Sequence, residues 1–170
     1  KEKIKNKEYQ RLDDNTKLKL VNKEEIDIGD NIKNPIIIKN KLGIDKENIS
    51  EKILQRLILE DIPSFLKELG DGFTFVENEY KIKIGSNYNY IDLLLFNIEF
   101  NCYVVVELKV TELKKEYIGQ IQIYMNYINK NNMEQLRSKS EYLLEILMIG
   151  VFWKEHVNKA ISLSKIPRNI

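Results

Sequence analysis

At 170 residues and 43% hydrophobic side chains, the chain can bury one sizeable core, which bounds it to a single domain with at most an appended segment. Lys and Arg number 27 against 26 Asp and Glu, a net charge of +1, so no global basic field holds a nucleic acid and phosphate contacts must come from a local patch. The lone cysteine, Cys102, excludes an internal disulfide, and with the lone histidine, His156, it excludes a closed structural zinc site.

The chain opens on Lys1 with no charged-then-apolar leader, and no run reaches the roughly 18 apolar residues of a membrane helix. A cytoplasmic protein with no membrane partner is expected. Residues 1–45 are rich in Lys, Asn, Asp and Glu, and only Pro35-Ile36-Ile37-Ile38 looks able to dock on a core. They read as an N-terminal tail or linker, the end of a missing preceding domain, ahead of a domain over 46–170. From Ser50, a candidate N-cap, Leu54, Ile58, Ile62, Phe65 and Leu69 recur at helical spacing up to Gly70. Pro63 kinks this helix or divides it into two. Phe73–Val76, Tyr80–Ile84, Tyr88–Phe96 and Cys102–Val110 then read as a strand meander. Residues 114–130 return to helical spacing, with Tyr117, Ile121, Tyr124, Met125 and Ile128 on one face. Leu144–Trp153 reads as a further strand, returning by a right-handed crossover, and Lys154–Ser164 as a last helix. The fold class is α/β: a mixed sheet of about four to five strands, an antiparallel meander plus a parallel crossover strand, flanked by helices.

Alternation along the fourth of these strands puts Val104, Val106, Leu108 and Val110 on one face and Val105, Glu107 and Lys109 on the other. A strand with one wholly apolar face belongs in the middle of a sheet, so Glu107 needs a partner. The strand before it carries Asp92. An antiparallel pair with an even-length loop centred on Glu99 and Phe100 places Asp92 opposite Glu107 on the same face, whereas a shift of one residue separates them. Opposed carboxylates repel unless a cation neutralises them. Asp and Glu oxygens suit Mg²⁺ or Mn²⁺, and Lys109 would then stand where it can orient or deprotonate a water or stabilise charge on a phosphate. These are the parts of phosphodiester hydrolysis. A cross-strand ion pair on a solvated face fits the same spacing equally well.

Phe65-Leu66-Lys67-Glu68-Leu69-Gly70-Asp71-Gly72-Phe73, Tyr90-Ile91-Asp92-Leu93-Leu94, Val105-Val106-Glu107-Leu108-Lys109 and Tyr117-Ile118-Gly119-Gln120 with Tyr124 together resemble the C-terminal domain of the bacterial YhcG-like proteins, of the PD-(D/E)xK nuclease superfamily. The likeness runs in order from about Ile36 to about Ile149. It implies a restriction-endonuclease-like core acting on DNA, with Asp92 and Glu107 as metal ligands, Lys109 as catalytic lysine and a DNA-binding domain missing from the N-terminus. It departs at Glu77-Asn78-Glu79-Tyr80, where the family tends to carry a basic residue, and at Lys115, where a proline is expected.

The resemblance also brings Glu68 near the metal and Gln120 near the bound water or phosphate. Gln120 follows Gly119, which allows close backbone approach. Tyr124 shares the face of Gln120 one turn on, and with Lys114 and Lys115 it is a candidate for substrate binding. Glu68 reads equally as a solvated helix-end glutamate, and His156 as a surface residue. The expected function is a Mg²⁺-dependent DNA endonuclease in processing, recombination, repair or defence, with a homodimer allowed. The alternative is a catalytically silent nuclease-fold module for DNA binding or assembly. The retained Asp92, Glu107 and Lys109 favour the enzyme, because a retired site is free to lose paired carboxylates.

Overall fold

The computed structural model describes residues 9–33, 38, 40–111, 114–135 and 143–150, with Lys46, Lys115, 132–135 and 143–150 described by backbone alone. The expected last helix at Lys154–Ser164, and His156 within it, lie outside these residues.

Helices α1 (Asp14–Asn22) and α2 (Ile28–Asn31) come first. The side chain of Asp13 caps α1 by accepting from Thr16 N–H, and Asp27 and Asp30 form a reciprocal capping box around α2. Asp30 is also the buried hub that joins them. It accepts from Thr16 Oγ1 at 3.2 Å and from Lys19 Nζ at 2.7 and 2.9 Å. This network seats Ile28 and Ile32 in the main core, so the segment expected to be tail or linker contributes two fully packed side chains to the domain. Ile38 packs partly against the same core.

The helix expected from Ser50 to Gly70 is two helices, α3 (Glu51–Glu60) and α4 (Ile62–Leu69). Ser50 Oγ accepts from Ile53 N–H and starts α3. Asp61 ends α3 and caps α4 through Ser64 N–H, which leaves Pro63 in the first turn of α4, where its missing N–H breaks no helical hydrogen bond. Gly70 stops α4 at φ 148°, and a Cβ there would meet the carbonyl oxygen of Asn31 at 2.7 Å.

Strands β1 (Phe73–Ile84), β2 (Asn87–Asn97) and β3 (Cys102–Lys109) form an antiparallel meander. Phe73–Val76 and Tyr80–Ile84, expected as separate strands, are one strand. The polar residues between them mark a register shift from Phe75 to Glu77, followed by Glu79 at φ 50°, rather than a turn. Helix α5 (Lys115–Gln135) follows, and β4 (Leu143–Gly150) pairs parallel to β3, giving the order β1-β2-β3-β4.

Both faces of the sheet are covered. Val104, Val106, Leu108, Leu93 and Leu95 pack with Leu54, Leu57, Ile58, Phe65 and Leu69 of α3 and α4. Val105, Leu94, Ile82 and Ile91 pack with Ile121, Tyr124, Met125 and Ile128 of α5. Each large side chain so buried contributes about 1.5–3 kcal/mol, so the sheet is held rigidly from both sides. Among the described residues, no helix is long and apolar enough to cross a membrane.

Candidate active site

The site is set by the register of β2 on β3. Asn97 pairs with Cys102 and Leu93 with Val106, leaving 98–101 as the turn. The turn is locked by buried Asn97. Its amide donates to the Asp71 carbonyl at 3.0 Å, and its Oδ1 accepts from Glu99 N–H at 3.0 Å and Phe100 N–H at 3.1 Å. The backbone ladder ends at Leu93↔Val106, and Asp92 on β2 and Glu107 on β3 are the next residues beyond it.

At that point one side-chain bond between the strands and one from α3 take the place of ladder bonds. Leu108 N–H donates to Asp92 Oδ2 at 2.7 Å, and Gln55 of α3 donates to the Asp92 carbonyl at 3.1 Å. The alternation of β2 also breaks here. Ile91 packs on the α5 side, yet Leu93, two residues on, packs on the α3 side. Asp92 therefore stands at a local twist, beside the irregular stretch of β1 at Glu77–Glu79, and the twist aims its carboxylate at the end of β3.

Glu107 is 3% exposed, and its Oε1 is buried with no hydrogen-bond partner. Burial, reinforced by the nearby Asp92 charge, pushes its carboxyl up to about 7. Burial also raises Asp92, against the opposing hydrogen bond from Leu108 N–H. Lys109 Nζ lies 3.5 Å from Glu107 Oε2 and 3.6 Å from Glu51 Oε2, and donates to the Leu108 carbonyl at 3.1 Å. Burial alone would lower this ammonium, but Glu107, Glu51 and Asp92 outweigh it and hold the pKa above its ordinary value. The Lys109 ammonium also stands 5.2 Å over the Tyr117 ring.

Of the other residues singled out in the sequence, Gln120 and Tyr124 join this group in part. Gln120 is exposed and donates to the hydroxyl of Tyr124 at 2.5 Å. Tyr124 is 3% exposed, so it borders the carboxylates from within the core rather than offering a substrate-facing surface. Its phenol is raised by burial, and the charges of Glu107 and Asp92 raise it further. Lys114 is exposed just ahead of α5, and the side chain of Lys115 lies outside the described residues.

Glu68 does not join them. It closes α4 beside Gly70, at the end of the sheet where Gly72 meets the 98–101 turn, and it is bound to Arg11 at 2.6 Å. Asp92 lies five residues along β2 from that turn, roughly 17 Å at strand rise. The helical acid that reaches the site is Glu51, the first residue of α3, which the sequence reading passed over. Its place directly after the Ser50 cap, on a helix whose Leu54 and Ile58 face the sheet, was the available signal.

Asp92 and Glu107 are the oxygen donors that could hold a hard divalent cation, and the open, buried Glu107 Oε1 fits one. Among the described residues no three His, Cys, Asp or Glu side chains cluster as a metal cage. Any ion here would complete its shell with water or a ligand's oxygens.

The YhcG protein of Escherichia coli (strain K12) is 31% identical over 86 residues, which is 51% of this chain and 23% of that protein, so the chain spans about a quarter of the relative's length. Among solved structures, the EndoMS-dsDNA2 complex matches 64% of this chain and 37% of its own at 18% identity and TM-score 0.41. A repair endonuclease from Pyrococcus abyssi matches 61% of this chain and 38% of its own at 18% identity and TM-score 0.40. The YhcG PDDEXK nuclease domain family matches residues 30–158, and the chain belongs to that family.

Proposed function

We propose that this domain is a divalent-metal-dependent nuclease that hydrolyses phosphodiester bonds in DNA, built on a restriction-endonuclease-like mixed sheet, with Asp92 and Glu107 holding Mg²⁺ or Mn²⁺. One observation carries the reading. Glu107 Oε1 is buried, unpartnered and adjacent to a second carboxylate. Leaving such an acceptor open costs about 1–3 kcal/mol, and a cation is the partner that satisfies both carboxylates at once. Two protein carboxylates suit Mg²⁺, which keeps several waters and takes further oxygens from substrate phosphates. When bound, the ion polarises a phosphoryl oxygen and lowers the pKa of an attacking water.

The chain's own groups do the rest. Lys109, held as an ammonium by Glu107, Glu51 and Asp92, serves charge developing on the phosphate and orients a water better than it would deprotonate one. Glu51 positions Lys109 from the α3 side. Gln120 and Tyr124 buttress the opposite wall, and Lys114, exposed just ahead of α5, meets phosphate. The catalytic unit runs over 46–170, completed by the docked Ile28 and Ile32. A cytoplasmic setting, with a preceding DNA-binding domain in the full-length protein, fits the lone buried Cys102 and the absence of a global basic field.

The test incubates the domain with linear, supercoiled and branched DNA in Mg²⁺ or Mn²⁺, beside Asp92→Ala, Glu107→Ala and Lys109→Ala. Cleavage by wild type that each substitution abolishes is expected. Equal cleavage by all four proteins, or none by wild type on any substrate, refutes the proposal.

A further inference from the structure

Strands β1 and β2 run on past the point where β2 leaves β3, as a two-stranded arm closed by the Gly85-Ser86 turn. One face of the arm is core: Ile82 and Ile91 are fully buried against α5. The other face is open, and its composition is not that of an ordinary solvated hairpin. Lys81 pairs in register with Tyr90, and Lys83 with Tyr88. The lysines are exposed, and Tyr88 and Tyr90 are 56% and 53% exposed. The Lys81 ammonium lies 4.0 Å from the Tyr88 ring centroid and the Lys83 ammonium 5.9 Å from it. Two cations are thus held close together by one ring, against their mutual repulsion.

The arm's position gives this face a use. Tyr90 is two residues from Asp92 along β2 and Tyr88 four, about 7 and 14 Å at strand rise. The open face is turned away from α5 and so lies on the sheet face opposite Val105 and Glu107; the site reaches that side where Lys109 meets Glu51 of α3 at 3.6 Å and Gln55 of α3 donates to the Asp92 carbonyl. The acidic residues of β1, Glu77 and Glu79, stop at the irregular stretch, so beyond it the arm's open face carries positive charge.

We propose that the Lys81, Lys83, Tyr88 and Tyr90 face is a DNA-backbone contact that extends the site about four nucleotide steps along one strand. The proposal rests on the nuclease reading above for its ligand. With Lys81 laid over the Tyr88 ring, the face offers ammoniums and phenol hydroxyls to phosphates rather than bare rings to bases, so the contact is independent of base sequence.

The experiment measures binding of a fluorescein-labelled 20-bp duplex by anisotropy, in EDTA so that no strand is cut, across a salt series. Wild type is compared with Lys81→Gln/Lys83→Gln and with a control pair, Lys23→Gln/Lys130→Gln, which removes the same charge from exposed sites at the C-cap of α1 and on α5. Thermal midpoints establish that all three proteins fold. Expected for the arm pair is a loss of about tenfold or more in affinity at 0.1 M salt, with the slope of log affinity on log salt shallower by about 2. The control pair keeps the wild-type slope. Equal effects of the two pairs, or none from the arm pair, overturn the arm proposal and leave the nuclease reading standing on its cleavage assay. Loss of slope in the arm pair from a protein that cuts no DNA in Mg²⁺ or Mn²⁺ upholds the arm and overturns the nuclease. No binding by wild type overturns the arm.

Discussion

Replacing Glu107 by Gln should stabilise the metal-free protein above neutral pH while leaving it nearly unchanged at pH 5. The Glu107 carboxyl titrates near 7 in the folded protein, against 4.5 for a solvated glutamate, because burial and Asp92 disfavour its charge. Between those values the folded state holds a proton that the unfolded chain has released. Unfolding therefore releases a proton, and stability falls as pH rises from about 4.5 through 7, then levels. At about 1.4 kcal/mol per pH unit, the span amounts to about 3 kcal/mol, a large share of a small domain's stability. Gln reproduces the neutral carboxyl in shape and removes the titration. Urea unfolding in EDTA at pH 5, 6, 7 and 8 reads this directly. Wild type should lose about 3 kcal/mol more than Glu107→Gln across the series, and Glu107→Gln should be the more stable protein at pH 8. Asp92, also raised, adds a decline of the same sign to both proteins, so the difference between them is the informative quantity. Parallel curves for the two proteins would refute the reasoning, since Glu107 would then be hydrated or otherwise paired.

Three further outcomes follow from the same geometry. Millimolar Mg²⁺ at pH 8 should raise the thermal midpoint of wild type, and the rise should vanish in Asp92→Asn; an unchanged rise in the variant places the ion elsewhere. Glu51→Gln removes one of the charges that hold the Lys109 pKa up, so the alkaline limb of the cleavage profile should move to lower pH with the acid limb fixed, and an unshifted profile argues that Glu51 does not act on Lys109. Asn97→Ala strips hydrogen bonds from Asp71, Glu99 and Phe100 at once and should cost about 2–4 kcal/mol in chemical denaturation, whereas a loss below about 1 kcal/mol would show the turn to be held by other means.

The faces of the hairpin strands were legible before any coordinates because strand alternation is a local quantity, whereas the even turn between Asn97 and Cys102 entered only as a condition. Val104, Val106 and Leu108 on one face and an even loop after Asn97 fix where Glu107 emerges. What escaped depended on tertiary packing. Glu51 and Glu68 sit on one amphipathic pattern, and only the change of direction at Asp61 decides which end of it meets the carboxylates. Ile28 and Ile32 read as linker because the residues that dock them, Asp27 and Asp30, look hydrophilic in sequence, and the pairing with Thr16 and Lys19 that makes Asp30 buriable is long-range. Tyr124 lay on the expected face, yet periodicity cannot tell a phenol in the core from one at the rim. The continuity of β1 was hidden by polar residues that serve an irregular stretch as readily as a turn.

The length of the 98–101 turn works as a parity switch. If the four-residue turn is kept, adding or removing one residue re-pairs β2 and β3 out of phase, so that one carboxylate turns into the apolar layer beneath α3 and α4 while the other keeps its place. Two residues added restore the phase and lengthen the hairpin at its end. Variation in chain length that keeps this turn type is thus expected in steps of two, with odd steps tolerated where the loop itself or a bulge takes up the extra residue.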